Sequence, residues 1–372
     1  MPALRYLTLV TAMYLAALLG GCAGPRQGLL QPVDAARAMP VQRVVLAATT
    51  RAPAEQPGYL FSGERGREVS YARLAFSMPP GRQPGALPVD AGHPDPQRHI
   101  VLASAARLDG AGFARALRTT GAGAPPRKAL IFVHGYNTAF DAAAVRFAQI
   151  VDDTHFDGVA VLFSWPSRGG VTDYAYDRAS ADFSRDALEA LLKQLARDPA
   201  ISGVDIFAHS MGNWVTMEAL RQLATANDRR ALGQIQKVVL AAPDVDMDVF
   251  RRQATRIGAL AAHMTVYVSH DDYALRASRR LAGGKLRAGE NTDLEQFHRL
   301  GMQAHDLSAV EGGVGRNHGK AFSDAATIAG IGRALSGGQE QRRQGQLLTG
   351  GLKTLGHSVT AIGAALLPET AP

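Results

Sequence analysis

The sequence predicts an α/β fold: a mostly parallel central sheet with helices on both faces. Three observations carry this reading. Five apolar runs of strand length recur in order, at residues 129–135, 159–166, 204–210, 236–244 and 264–272. Stretches with apolar residues at helical spacing separate several of them. The runs are largely continuous rather than alternating, as strands buried on both faces must be.

The elements follow in chain order. Val41–Thr50 (VQRVVLAATT) reads as a first strand, with Glu68–Phe76 and His99–Ser104 as weaker strands. Residues 77–98 hold six prolines and must be loop. ALIFVHG (129–135) precedes a helix marked by Phe140, Ala144, Phe147 and Val151. VAVLFSWP (159–166) precedes a long helix whose apolar face is Phe183, Ala187, Leu188, Leu191, Leu192 and Leu195. VDIFAHS (204–210) leads into a helix ending near Ala224, and QKVVLAAPD (236–244) into one ending near Ala261. MTVYVSHDD (264–272) is the next strand, Asp306–Val310 a weak last strand, and Gly319–Leu335 a closing helix. The short segment between Pro243 and Met264 has room for one helix and its turns, so no large lid domain is expected there. The segment before Ala129 or the 273–305 insert remains able to cover the cleft.

The chain ends have their own character. Arg5 precedes an apolar run, residues 7–19. That run falls short of the ~20 residues a membrane span needs; it has the layout of a secretory signal. Leu19-Gly20-Gly21-Cys22 resembles a bacterial lipoprotein signal, which implies lipidation of Cys22 and removal of residues 1–21. One acyl chain anchors only marginally, whereas several anchor stably. Ala23 follows the cysteine rather than an aspartate, so the expected location is the outer membrane, periplasmic side. Residues 22–40 are expected to be a tether and 41–335 one domain, with N-terminal strands and loop in 41–128 and a core in 129–335. Residues 336–372 are expected to be a flexible tail, its apolar stretch 347–367 a weak surface helix.

Composition narrows the function. Cys22 is the single cysteine of the 372 residues, which excludes an intramolecular disulfide and a zinc-thiolate site. The net charge of +7 comes mostly from scattered arginines. Without a basic tract interleaved with aromatics, a solvated surface is expected rather than a nucleic-acid partner. No metal or cofactor is implied.

In a parallel sheet, ligands sit off the carboxyl ends of the strands. The residues there are His134-Gly135-Tyr136, Trp165-Pro166-Ser167, Ser210-Met211, Asp244 and Asp271-Asp272. Ser210 lies in AHSMG, an elbow of the G-x-S-x-G type with Ala208 in place of the first glycine. Alone, a serine at a strand end is most often a helix cap. Here an acid (Asp272, with Asp271 in reserve) and a histidine (His318) follow it in the order Ser, acid, His. His298 and His305 are worse placed, and Asp244 and Asp246 rank lower as acids. Met211 and Tyr136 N–H groups are the expected oxyanion donors. Trp165 is a candidate for lining a substrate pocket. Arg168 could meet an acidic substrate, but a solvated arginine is the stronger reading.

FVHGYN, FSWPSRG, AHSMGNWV, VVLAAPDVD, the S-x-x-D-x-A-L of SHDDYAL, and NHGKAF together resemble the α/β-hydrolase family of unknown function DUF900. The resemblance runs from Val44 to Gly330 and is dense after Ala129. It implies an α/β-hydrolase fold and serine esterase or lipase-type activity on a small-molecule or lipid acyl ester. It places the acid on Asp272 and the base on His318. The last motif departs from the family pattern: Gly319-Lys320 precede the aromatic, Phe322. A neutral histidine base implies activity that falls as pH drops through about 6–7. The alternative is a non-catalytic envelope lipoprotein using the same fold as a binding module.

Overall fold

The computed structural model describes residues 28–121, 126–170, 172–313, 315 and 317–335. The signal segment, Cys22 and the C-terminal tail lie outside the described residues.

Nine strands form one sheet: β1 (Gln42–Pro53), β2 (Phe61–Ser77), β3 (Val101–Leu108), β4 (Arg127–Val133), β5 (Val159–Ser164), β6 (Ile201–His209), β7 (Ile235–Ala241), β8 (Met264–Val268) and β9 (Gln303–Asp306). Their order is β3-β2-β1-β5-β4-β6-β7-β8-β9. β1, β2 and β3 pair antiparallel, and β1 joins β5 in parallel. Every pairing from β5 to β9 is parallel. The helices are α1 (Gly110–Thr119), α2 (Phe140–Asp153), α3 (Tyr174–Arg197), α4 (Gly212–Thr225), α5 (Arg229–Gln234), α6 (Met247–Ile257), α7 (Tyr273–Leu281), α8 (Glu295–His298), α9 (Lys320–Ser323) and α10 (residues 325–335).

Strand periodicity builds two cores. Ile131, Val133, Val161, Phe163, Ile206, Ala208 and Leu240 face one side, with buried residues of α1, α3, α4 and α6. Leu130, Phe132, Ala160, Leu162, Phe207 and Val239 face the other, with α2 and the tail-end helix α10. Successive residues of each strand thus enter opposite cores, which is why the runs are apolar throughout.

The expected α/β fold is present, and so are eight of the nine expected strands, with shifted ends. β2 begins well before Glu68 because it pairs with the far end of β1 through bulges near Arg51. The last strand lies at Gln303–Asp306, not Asp306–Val310, since its polar residues hide the period. The closing helix is broken at Asp324, the extended C-cap of α9. α1 carries only a short amphipathic pattern, with Phe113 and Leu117 buried, and was not expected. The segment after β7 is α6 and a 3-10 turn (Gly258–His263), with no lid domain.

The described part of the expected tether is docked. Leu30 is buried and bridges Gly58. Val33 N–H donates to Leu102 O at 2.9 Å. The 3-10 helix Asp34–Ala38 buries Ala36 against Ala75, Val101 and Ala103. Small apolar residues supply enough burial to hold this segment on the sheet edge, which its Gly/Pro/Gln composition concealed.

Candidate functional site

The chain turns sharply where β6 meets α4, and Ser210 occupies the turn. Its φ is 53°, a left-handed value that costs a non-glycine residue energy. Hydrogen bonds offset that strain. Ser210 N–H donates to Ala241 O at 3.0 Å, and its carbonyl accepts from Asn213 N, Asn213 Nδ2 and Asp244 N at 3.1, 3.0 and 3.2 Å. Gly212 is obligatory: a Cβ there would lie 2.4 Å from Val133 O and 2.5 Å from His134 O. Ala208 is buried in the sheet between β4 and β7, where a methyl group fits.

The loop after β4 presses against this elbow. A Cβ on Gly135 would stand 2.8 Å from Ser210 Cβ and 2.9 Å from His209 Nδ1. The sheet order explains the closeness: β4 sits between β5 and β6, so its carboxyl end is the crevice where the connections diverge.

His318 comes from the loop after β9, and Asp272 from the start of α7. His318 Nδ1 donates to Asp272 Oδ2 at 2.7 Å, both side chains being buried. Asp272 Oδ1 accepts from Leu275 N–H at 3.0 Å as the N-cap of α7. One carboxylate oxygen therefore holds the helix and the other holds the imidazole. Burial drives the His318 pKa down. The Asp272 charge and hydrogen bond, with Asp244 further off, outweigh it and leave the pKa above the ordinary histidine value.

Asp271 does different work. It accepts from Lys320 Nζ at 2.8 and 2.9 Å and from Asn317 Nδ2 at 2.7 Å. Lys320 is itself buried and also donates to Leu307 O at 3.0 Å. Burial raises the Asp271 pKa, but Lys320 and Ser269 outweigh that and hold it below the usual carboxylate range. The adjacent aspartates thus split: Asp272 meets His318, and Asp271 clamps the loop that carries it.

His209, which sequence reasoning passed over, lies between the two halves of the site. Its ring is 4.6 Å from that of His318 and 4.7 Å from Phe322. Nε2 donates to the His318 carbonyl at 3.1 Å. Burial first, then the His318 charge, pushes its pKa well down, so it is a neutral donor. Its position directly before Ser210 was the available signal.

Arg51 was also missed. It is fully buried near the end of β1. It donates to Ser164 Oγ at 2.8 Å, Ser167 O at 2.8 Å and Thr138 O at 2.7 Å, and Nη2 lies 3.4 Å from His134 Nε2. His134 Nδ1 donates to Gly135 O at 2.9 Å; burial, then Arg51, lowers its pKa to about 3. Asp177 ties the same loops through Asn137 N, Arg168 N and Ser167 Oγ. Burial raises the Asp177 pKa against these contacts. The bulges that carry β1 past the sheet's edge hide this arginine from any periodic pattern.

One expectation needs correcting, that of Trp165 as a pocket residue; the lower-ranked candidates stay outside the His318–Asp272 pair. Trp165 is fully buried, stacks on His134 at 5.0 Å and donates to His134 O at 2.8 Å. It supports the β4 loop and is absent from the cavity described next, because the chain turns its indole into the core. Arg168 pairs with Glu64 at 3.0 Å on the surface. Asp244 is buried with Arg287 and Ser278. His298 is exposed beside Glu295, and His305 stacks on Tyr267. Among the described residues no His/Cys/Asp/Glu group could hold a metal.

A cavity of about 110 Å³ opens beside the elbow, touched by Gly135, Tyr136, His209, His318 and Phe322. Met211 follows the serine in the elbow, and Tyr136 follows Gly135 in the loop that presses against it.

A strained serine elbow on a mostly parallel sheet, backed by a glycine loop, defines an α/β hydrolase. The profile of the family described as "Alpha/beta hydrolase of unknown function (DUF900)" matches residues 114–335, and the chain belongs to that family. It is similar to an uncharacterized protein of the cyanobacterium Nostoc, 28% identical over 119 residues; the match covers 25% of this chain and 31% of that protein. Among solved structures it is similar to an esterase of the fungus Rhizomucor miehei (10% identity, 80% and 86% of the two chains, TM-score 0.37). It is also similar to an esterase of the archaeon Pyrobaculum calidifontis (11% identity, 90% and 92%, TM-score 0.35). At those scores neither likeness bears on activity.

Proposed function

We propose that the protein is a serine hydrolase of carboxylic esters, with Ser210 as nucleophile, His318 as base and Asp272 as the acid that orients it. The buried His318–Asp272 hydrogen bond is the observation that carries this reading: it leaves Nε2 as the basic nitrogen of a ring 4.6 Å from that of His209, the residue before the serine. His318 Nε2 takes the Ser210 proton as Oγ attacks the acyl carbonyl. The Met211 and Tyr136 N–H groups receive the developing oxyanion. His318 then protonates the leaving alcohol, and water, activated by the same nitrogen, releases the acid from the acyl-enzyme.

A fluorophosphonate probe tests the reading. Labelling that disappears in Ser210→Ala supports it. Folded protein that stays unlabelled overturns it in favour of a binding module.

The proposed location is the cell envelope, held by lipid on Cys22; the Leu-Gly-Gly-Cys pattern supports this. No described helix is long and apolar enough to cross a membrane. Metabolic labelling with a fatty-acid analogue, lost in Cys22→Ser, is the check.

A further inference from the structure

The cavity beside the elbow has one cationic wall. Besides the site residues it is lined by Leu87 of the proline-rich loop, Phe132 of β4, Phe322 of α9, and Ala142, Ala143 and Arg146 of α2. The guanidinium of Arg146 lies over the Phe322 ring at 4.7 Å. Its one hydrogen bond to a described residue is from Nη1 to Gln149 Oε1, at 2.7 Å. No described carboxylate reaches it as an ion pair. Asp153 on the same helix, whose charge still acts on Arg146, is taken by Arg82, Gly85 N–H and Gln149.

Arg146 is therefore a partly desolvated cation with donors to spare, at the end of a small apolar slot. Burial lowers its pKa to about 10, against the charge of Asp153, which raises it. Size limits the occupant. A cavity of roughly 150 Å³ holds a benzene ring, so this slot suits a chain of a few atoms. Guanidinium groups bind carboxylates with directed, charge-assisted hydrogen bonds.

We infer that this slot receives a short acyl group ending in a carboxylate, so that the substrate is a hemiester of a small dicarboxylic acid anchored by Arg146. The inference rests on the serine-hydrolase reading: the ester carbonyl sits at Ser210, the chain fills the slot between Phe132 and Phe322, and the carboxylate meets the guanidinium. The bond cleaved is the same acyl–oxygen bond, with water supplying the hydroxyl and the alcohol leaving with its proton.

The test separates binding from turnover. In full-length Ser210→Ala protein, monomethyl succinate is titrated against its neutral analogue methyl butyrate. The expected result is at least about tenfold tighter binding of the hemiester. That preference disappears in Arg146→Gln and survives in part in Arg146→Lys. Equal binding of the two esters, or a preference indifferent to Arg146, overturns the inference. Acetoxyacetate carries its carboxylate on the alcohol side; an Arg146-dependent preference for it alone also overturns the acyl assignment. Wild-type turnover of p-nitrophenyl hemisuccinate against p-nitrophenyl butyrate should show the same ratio. Absence of fluorophosphonate labelling of folded wild-type protein would defeat the hydrolase reading separately, since the Ser210→Ala titration does not depend on catalysis.

Discussion

Asp272 is shared between two partners: Oδ2 holds His318 Nδ1 at 2.7 Å, and Oδ1 caps α7 through Leu275 N–H at 3.0 Å. The two demands fix the carboxylate plane, and with it the imidazole. This separates Asp272 from its neighbour more sharply than any distance to the serine.

Asp272→Asn therefore isolates chemistry from folding. Asparagine can still cap a helix, but it favours the wrong imidazole tautomer, and kcat should fall by about 10⁴. Asp271→Asn should instead loosen the Lys320 and Asn317 contacts. Its expected mark is a lowered melting temperature, with a loss of kcat smaller than about tenfold. Comparable losses of kcat in both variants would refute the division of labour.

Ester hydrolysis should be lost in Ser210→Ala by a factor of roughly 10⁴–10⁶ in kcat. Circular dichroism should show retained fold, because the elbow's hydrogen bonds use backbone atoms and Asn213.

The pH profile follows from the raised His318 pKa. Only the neutral ring accepts the serine proton, so activity rises as pH rises through the folded pKa. Because that pKa lies above the ordinary value of 6.5, the limb of kcat/KM should sit above 6.5. The limb should move down in Asp272→Asn. A profile flat across this range, with Ser210 still required, would remove His318 as base.

Arg51 pins the loops after β4 and β5. Arg51→Met removes donors from several buried acceptors, each costing about 1–3 kcal/mol when left unsatisfied, so a loss of at least about 3 kcal/mol is expected. Urea denaturation measures it; a change under about 0.5 kcal/mol would show that the network is dispensable.

Gly212→Ala should prevent folding or cost at least roughly 1–3 kcal/mol, since the new methyl meets two backbone oxygens that cannot move aside. Ala208→Gly should leave activity nearly unchanged, because that position only needs to be small.

Much of this was legible in the chain. The buried strands show as apolar runs because both faces are covered. Ser210, Asp272 and His318 stand out because strand ends map to one edge of a parallel sheet. Strands with polar or bulged stretches, such as β9 and the far half of β2, were placed poorly because period fails there. Trp165 was misassigned because sequence cannot tell which way a strand-end indole turns.

By itself the sequence determined the layered α/β architecture, the strand-end positions of the site residues and the order in which they occur. Those depend on local periodicity and chain direction. The tertiary structure decided which of two adjacent aspartates meets His318, that His209 and Arg51 brace the site, that residues 28–40 are docked, and that Arg146 walls the slot. Each of these is a contact between segments far apart in the chain, set by how strands, helices and loops pack together. No local pattern encodes that packing.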